Sequence, residues 1–203
     1  MGFASRSVSL VRYRVRGEIE GPFWDAVHEG VRKHAFHSLG SGGDEIAAGW
    51  TSVQDFTDYE FKGGSFLLGS YVALALRVDT VRVPPKILEM HLKSEARKLL
   101  EETGQRRLSS GQLRGLKERL NESLRKQVLP SIQVFELIWD TANAFVYFGS
   151  HSVKARERVE DHFKKSFGLT LVPLIPYIRA QEIMAAGADI QLLEKLKPSS
   201  MVP

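Results

Sequence analysis

Two consecutive prolines, Pro84-Pro85, limit the folding of this chain more than any other feature. They follow an apolar, β-branched run (Ser65–Val83) and precede a leucine-striped, highly charged one. Neither proline can donate to a strand ladder, so a sheet must stop there. Proline is tolerated in the first turn of a helix, so a helix can start at the same point. Leu88, Leu92, Ala96 and Leu99 then recur at helical spacing as far as Thr103-Gly104, where the glycine suits a left-handed cap. Ser109 and Gln112 have capping-box spacing for a second helix, striped by Leu113, Leu116, Leu120 and Leu124 and ending before Pro130. Joined by Gly104–Ser109, the two predict an αα-hairpin.

Strand patterns lie on both sides of this hairpin. Ser7–Arg16 alternates and is bounded by Gly17. Pro22 opens a helix with Phe23, Val27 and Val31 that runs to about His34. Gly40–Gly43 reads as a loop and Asp44 as the cap of a short turn through Ala48. Asp55–Gly64 reads as an exposed turn or hairpin, and Ser65–Val83 as one or two strands with a turn or bulge at Gly69-Ser70. Beyond Pro130, Ile132–Trp139 and Ala144–Phe148 form a hairpin about Asp140–Asn143. Ser152 reads as the cap of a helix with Val153, Val159 and Phe163, closed by Gly168. Leu169–Leu174 is a short strand, Pro176–Ala186 and Ile190–Leu196 are weaker helical segments, and Lys197–Pro203 is a tail. The predicted class is α+β, with antiparallel strands and hairpins flanking a central charged αα-hairpin. Its parts are residues 1–83, the helical hairpin 84–130, and 131–203, the last forming one unit with the first.

Composition narrows the function. The 203 residues include no cysteine, which excludes disulfides, thiolate metal sites and a cysteine nucleophile. The longest nearly uncharged apolar run, Phe66–Leu76, is too short to span a bilayer. Met1–Leu10 carries Arg6 and no apolar core of the signal-peptide kind, so the expectation is a cytoplasmic chain without a membrane partner. The net charge of +4 is unevenly spread. Residues 82–130 hold twelve Lys and Arg against six Asp and Glu, a net +6, which leaves −2 for the remainder. A basic segment in a mildly acidic body suggests an anionic partner, most often nucleic acid. The plainer reading is Lys and Arg solvating helix surfaces.

The candidate DNA-binding residues are Lys86, Lys93, Arg97 and Lys98 on the first helix, Arg106 and Arg107 in the connection, and Arg114, Lys117, Arg125 and Lys126 on the second. Cations off the leucine stripes, without base-reading geometry, imply phosphate contacts with little sequence preference. With Arg106 and Arg107 between them, the cations of the two helices predict one contiguous patch, which Glu118 and Glu122 dilute. Two enzyme-like patterns compete weakly. Asp58, Glu60 and Lys62 form an Asp-x-Glu-x-Lys string which, with Asp44 or Asp55 upstream, is the kind of set that holds Mg²⁺ in nucleases; in a solvated turn it is three solvated charges. His34 and His37 share a helical face but have no third ligand at a recognisable spacing. No catalytic residue, metal or cofactor is expected.

The order of motifs resembles the recombination-associated protein RdgC family. The likeness runs from Val11-Arg12-Tyr13-Arg14 through Ala35-Phe36-His37-Ser38-Leu39-Gly40 and Gly49-Trp50. It is clearest in Val83-Pro84-Pro85-Lys86-Ile87, the paired charged helices, Val128-Leu129-Pro130 and Trp139-Asp140-Thr141-Ala142-Asn143. Ser152–Ser166, Phe167-Gly168-Leu169 and Val172-Pro173-Leu174 continue it. The resemblance implies an α+β, non-enzymatic, cytoplasmic or nucleoid-associated protein that binds DNA without sequence preference. It also implies a ring-shaped homodimer encircling duplex DNA and opposing RecA-promoted strand exchange. Three departures stand out. The family's C-terminal region has no counterpart in these residues. Leu129-Pro130 is followed by Ser131-Ile132-Gln133-Val134-Phe135 where the family has Arg-Ala-Phe-Ser-Arg, and Gly49-Trp50 by Thr51-Ser52 where it has Val-Pro. The alternative is a scaffold or protein-interaction module without DNA binding.

Overall fold

The computed structural model describes residues 9–39 and 45–184, together with Phe3 and Lys195. The predicted Gly40–Gly43 loop, the cap at Asp44, almost all of the Ile190–Leu196 helix and the tail from Lys197 lie outside the described residues. The fold is α+β, as the patterns predict. Among the described residues its centre is a seven-stranded antiparallel sheet. Its strands are β1 (Val11–Arg16), β2 (Ile46–Ser52), β3 (Leu67–Leu68), β4 (Tyr71–Thr80), β5 (Ser131–Asp140), β6 (Phe145–Phe148) and β7 (Thr170–Pro173). The order across the sheet is β2-β4-β5-β6-β1-β7, with β3 turned back on β4 through Gly69-Ser70. Residues on either side of the prolines thus share one sheet, since β4 pairs along its whole length with β5.

Helices α1 (Phe23–Lys33) and α4 (Val153–Phe167) cover one face of this sheet. Strand alternation supplies the apolar layer they cover: Tyr13, Trp50, Val72, Leu74, Leu76, Leu137, Val146 and Phe148, each fully buried. Trp139 packs edge-on to Phe163 and at a tilt to Phe167, with ring centroids 5.1 and 5.3 Å apart. Two glycines set how closely the layers approach. A Cβ on Gly30 would sit 2.3 Å from the Ser166 carbonyl oxygen, and one on Gly49 would sit 2.4 Å from Phe36 Cα. At Gly49 the segment after α1 bonds to the outer edge of β2, with Phe36 N–H donating to the Trp50 carbonyl (2.8 Å) and Trp50 N–H to the His34 carbonyl (3.0 Å).

Two local predictions need correction. Ile46–Ser52 is a strand rather than the end of a short turn, because its ladder with β4 satisfies the backbone despite low intrinsic strand propensity. Ser152 sits at the start of α4 but its side chain makes no capping hydrogen bond. Ser150 Oγ instead accepts from Ser152 N–H at 3.2 Å.

Helices α2 (Pro85–Thr103) and α3 (Ser110–Arg125) stand apart from this core. The main buried cluster includes no residue of either. Helix α2 buries no side chain, and α3 buries only Leu116 and Leu124. α5 (Pro176–Met184) follows β7. No helix among the described residues is long and apolar enough to cross a membrane.

Candidate nucleic-acid interface

The α2–α3 pair is built by local chemistry. Pro85 occupies the first turn of α2, and Gly104 ends the helix in the left-handed conformation at φ 64°. Ser109 and Gln112 close the expected capping box: Gln112 N–H donates to Ser109 Oγ (3.2 Å) and Ser109 N–H to Gln112 Oε1 (2.8 Å). Between the helices runs an open groove in which Leu99, Leu116 and Leu120 meet Glu95, Lys98, Glu102 and Arg119.

The ten predicted cations do not share one face. Lys86, Lys93 and Arg97, spaced seven and four residues apart, line the side of α2 turned away from the groove. Arg114 lies across α3 from the groove, with Lys117 at its flank. Arg106 and Arg107 are exposed in the connection at the tip. Lys98 instead lines the groove, and Lys126 follows the end of α3 on another side from Arg114. Arg125 is largely covered, 18% exposed, and reaches Glu45 at 3.6 Å, which ties the foot of the hairpin to the entry of β2. A cationic row therefore runs along the outer side of α2, and Arg106 and Arg107 at the tip continue it to Arg114 and Lys117 in the first half of α3.

Acidic neighbours moderate several of these charges. Lys93 and Lys86 both bond Glu89 (2.8 and 3.3 Å), and together they hold its carboxyl below its ordinary pKa. Lys98 bonds Glu95 at 2.7 Å, which raises the lysine pKa, and Arg114 bonds Glu118 at 3.1 Å. These pairs are exposed and exchange readily with water and salt, so they do not prevent contact with phosphate. Arg97, Arg106, Arg107, Lys117 and Lys126 make no ion pair among the described residues.

The other candidate residues make local contacts. Asp58 lies in a loop, not on a strand. Its carboxylate accepts from Glu60 N–H (3.1 Å), Phe61 N–H (3.0 Å) and Ser65 Oγ–H (3.0 Å). Glu60 pairs with Lys62 in solvent, and Asp55 caps Thr57. His34 Nδ1 lies 3.2 Å from the Gly30 carbonyl and His37 Nδ1 lies 2.8 Å from the Ala35 carbonyl. No three of the described His, Asp and Glu side chains are gathered as a metal site.

A further cationic row, which none of the motifs above singles out, lies on β1. Arg12, Arg14 and Arg16 alternate along β1, so the strand puts all three on the sheet face opposite α1 and α4. Arginine at every second position of a predicted strand is the signal that finds them. Compared with known protein families and with curated proteins, the chain matches none.

Proposed function

We propose that this protein binds DNA without sequence preference, in the manner of the RdgC family, through phosphate contacts of the α2–α3 hairpin. On this reading it acts as a homodimer on the nucleoid and opposes RecA-promoted strand exchange. The observation that carries the proposal is a helical pair outside the core with a cationic outer side on α2 and a cationic tip, where Arg97, Arg106, Arg107 and Lys117 lack acidic partners among the described residues. The motif order shared with the RdgC family supports the same direction.

A mobility-shift titration over salt concentration tests it. Each neutralised phosphate contributes a slope of about −0.9 in log affinity against log salt. Reversal of Arg106, Arg107 and Lys117 to Glu should therefore flatten the slope by about 3 and weaken low-salt binding at least about tenfold. Absence of binding to duplex and to single strand at low salt overturns the proposal. A second reading, a protein-interaction module, is favoured by apolar side chains left in solvent on and beside the hairpin: Ile87, Met90, Leu113 and Leu129, the last 89% exposed. Light scattering of the chain alone and with DNA separates the two readings.

A further inference from the structure

In β1 the residues between the arginines, Val11, Tyr13 and Val15, pack into or against the core. Arg12, Arg14 and Arg16 therefore stand on the other face. Register fixes their neighbours there. On β6, Tyr147 lies opposite Arg12 and Phe145 opposite Arg14. On β7, Val172 lies opposite Arg14 and Thr170 opposite Arg16. The guanidinium groups of Arg14 and Arg12 lie over the Phe145 ring, 4.2 and 5.2 Å from its centroid. Arg12 and Arg16 are exposed, and both rings are half-buried. On the same face Glu136 accepts from Phe3 N–H (2.5 Å), and Asp140 accepts from Asn143 N–H and Nδ2–H (3.1 and 2.9 Å).

We propose that this face of β1 and β6 binds a single strand of nucleic acid. Its bases lie on Tyr147 and on the stacked arginines, and its phosphates are met by Arg12 and Arg16. The ligand class follows from the mixture of groups. Cations alone fit any polyanion, whereas rings and guanidinium planes set side by side on a flat sheet fit a polyanion with exposed flat faces. A single strand offers those faces; a duplex keeps them stacked inside. Stacking on such a platform tolerates any base, since every base has a π-face. This surface is on the sheet, away from the hairpin, and does not depend on the hairpin binding DNA.

The test is fluorescence anisotropy of the full chain with an oligo-dT strand and with a duplex of equal length, at low salt. Arg12→Glu with Arg16→Glu, and separately Tyr147→Ala, should each weaken oligo-dT binding about tenfold or more with a smaller effect on the duplex, while Tyr147→Phe binds as the parent does. Reversal of Arg106, Arg107 and Lys117 should leave the preference of the sheet for oligo-dT in place, so failure of the hairpin proposal and failure of this one are distinguishable. Should Tyr147→Ala not fold, a 5-iodouracil oligonucleotide photocrosslinked to the unaltered chain decides: the adduct is expected on the peptide holding Phe145 and Tyr147. Unchanged oligo-dT affinity in a folded Arg12→Glu, Arg16→Glu chain overturns the proposal. So does an equal loss for duplex and single strand, or an adduct confined to other peptides.

Discussion

The sheet with α1 and α4, and the hairpin of α2 and α3, are stabilised in different ways. The first is a tertiary object. Its apolar layer is almost fully excluded from water, and helix meets helix at Gly30 with no room for a methyl group. The second is a secondary object, in which α2 buries no side chain and the helices are held by a proline start, a glycine stop, a capping box and ion pairs one turn apart. In the body each residue is constrained by neighbours distant in sequence. In the hairpin residues are constrained by neighbours three or four positions away, which leaves the outer surface available for charge.

Substitutions that add a methyl group to the body should be the most damaging. Gly49→Ala drives a Cβ into the Phe36 backbone, and Gly30→Ala drives one into the Ser166 carbonyl. In both cases rigid backbone must move, at an expected cost of about 3 kcal/mol or more, read as a large drop in the denaturant midpoint. If either variant keeps the parent's stability, the layers are not as tightly fixed as the comparison requires.

Acid should separate the regions next. His162 on α4 lies between Trp50 (ring centroids 4.7 Å apart) and the end of α1, where the His34 carbonyl accepts from its Nε2–H at 3.1 Å. Trp50 Nε1–H donates to Ser166 Oγ at 2.7 Å beside it. Burial pushes the His162 pKa down to about 4, so the folded protein keeps the ring neutral where the unfolded chain, near 6.5, takes up a proton. The folded pKa being the lower one, stability is complete above about pH 6.5 and falls as pH drops towards 4. By pH 4.5 the loss from this group is on the order of 2–3 kcal/mol. Denaturant melts at pH 7.5 and 4.5 should show it, and His162→Gln should flatten that dependence. The exposed pairs of the hairpin respond to salt more than to burial.

How much of the molecule could be read from sequence follows the same division. The hairpin was legible, limits and caps included, because Pro84-Pro85, Gly104 and Ser109 with Gln112 act within a turn of themselves. β2 was not. Ala47-Ala48-Gly49 lacks the branched bulk that marks a strand, and the residue is small there because Phe36 presses on it, a reason visible only after folding. At the candidate site, helical spacing gave the sides of Lys86, Lys93 and Arg97. It could not give the tie from Arg125 to Glu45, which joins segments far apart in the chain, nor the turn of Lys98 into the groove. The arginine row of β1 was written in the sequence as an alternation, but its meaning depended on which face α4 covers.

Loss of a cap should affect the hairpin alone. Ser109→Ala removes the acceptor for Gln112 N–H and leaves that donor to water, a cost of about 1 kcal/mol. Amide hydrogen exchange should speed up in the first turn of α3, at Gln112 and its neighbours, while the amides of β4 and β5 keep the parent's protection. Equal acceleration in the sheet would mean that the two regions open as one cooperative unit.

The smallest expected effect has the opposite sign. Gly115 lies inside α3, and a Cβ added there meets nothing within 4 Å. The change to Ala removes backbone freedom from the unfolded chain and adds a strong helix former, so Gly115→Ala should stabilise the hairpin by roughly 0.5–1 kcal/mol. A methyl group is thus expected to destabilise at Gly30 and Gly49 and to stabilise at Gly115, because only the first two positions are closed by tertiary contacts. Slower exchange along α3 is the result that fits a hairpin governed by local rules. Destabilisation by Gly115→Ala would show instead that α3 is held against the body or a second copy at that point, and that its freedom from tertiary constraint is not what leaves its surface free for charge.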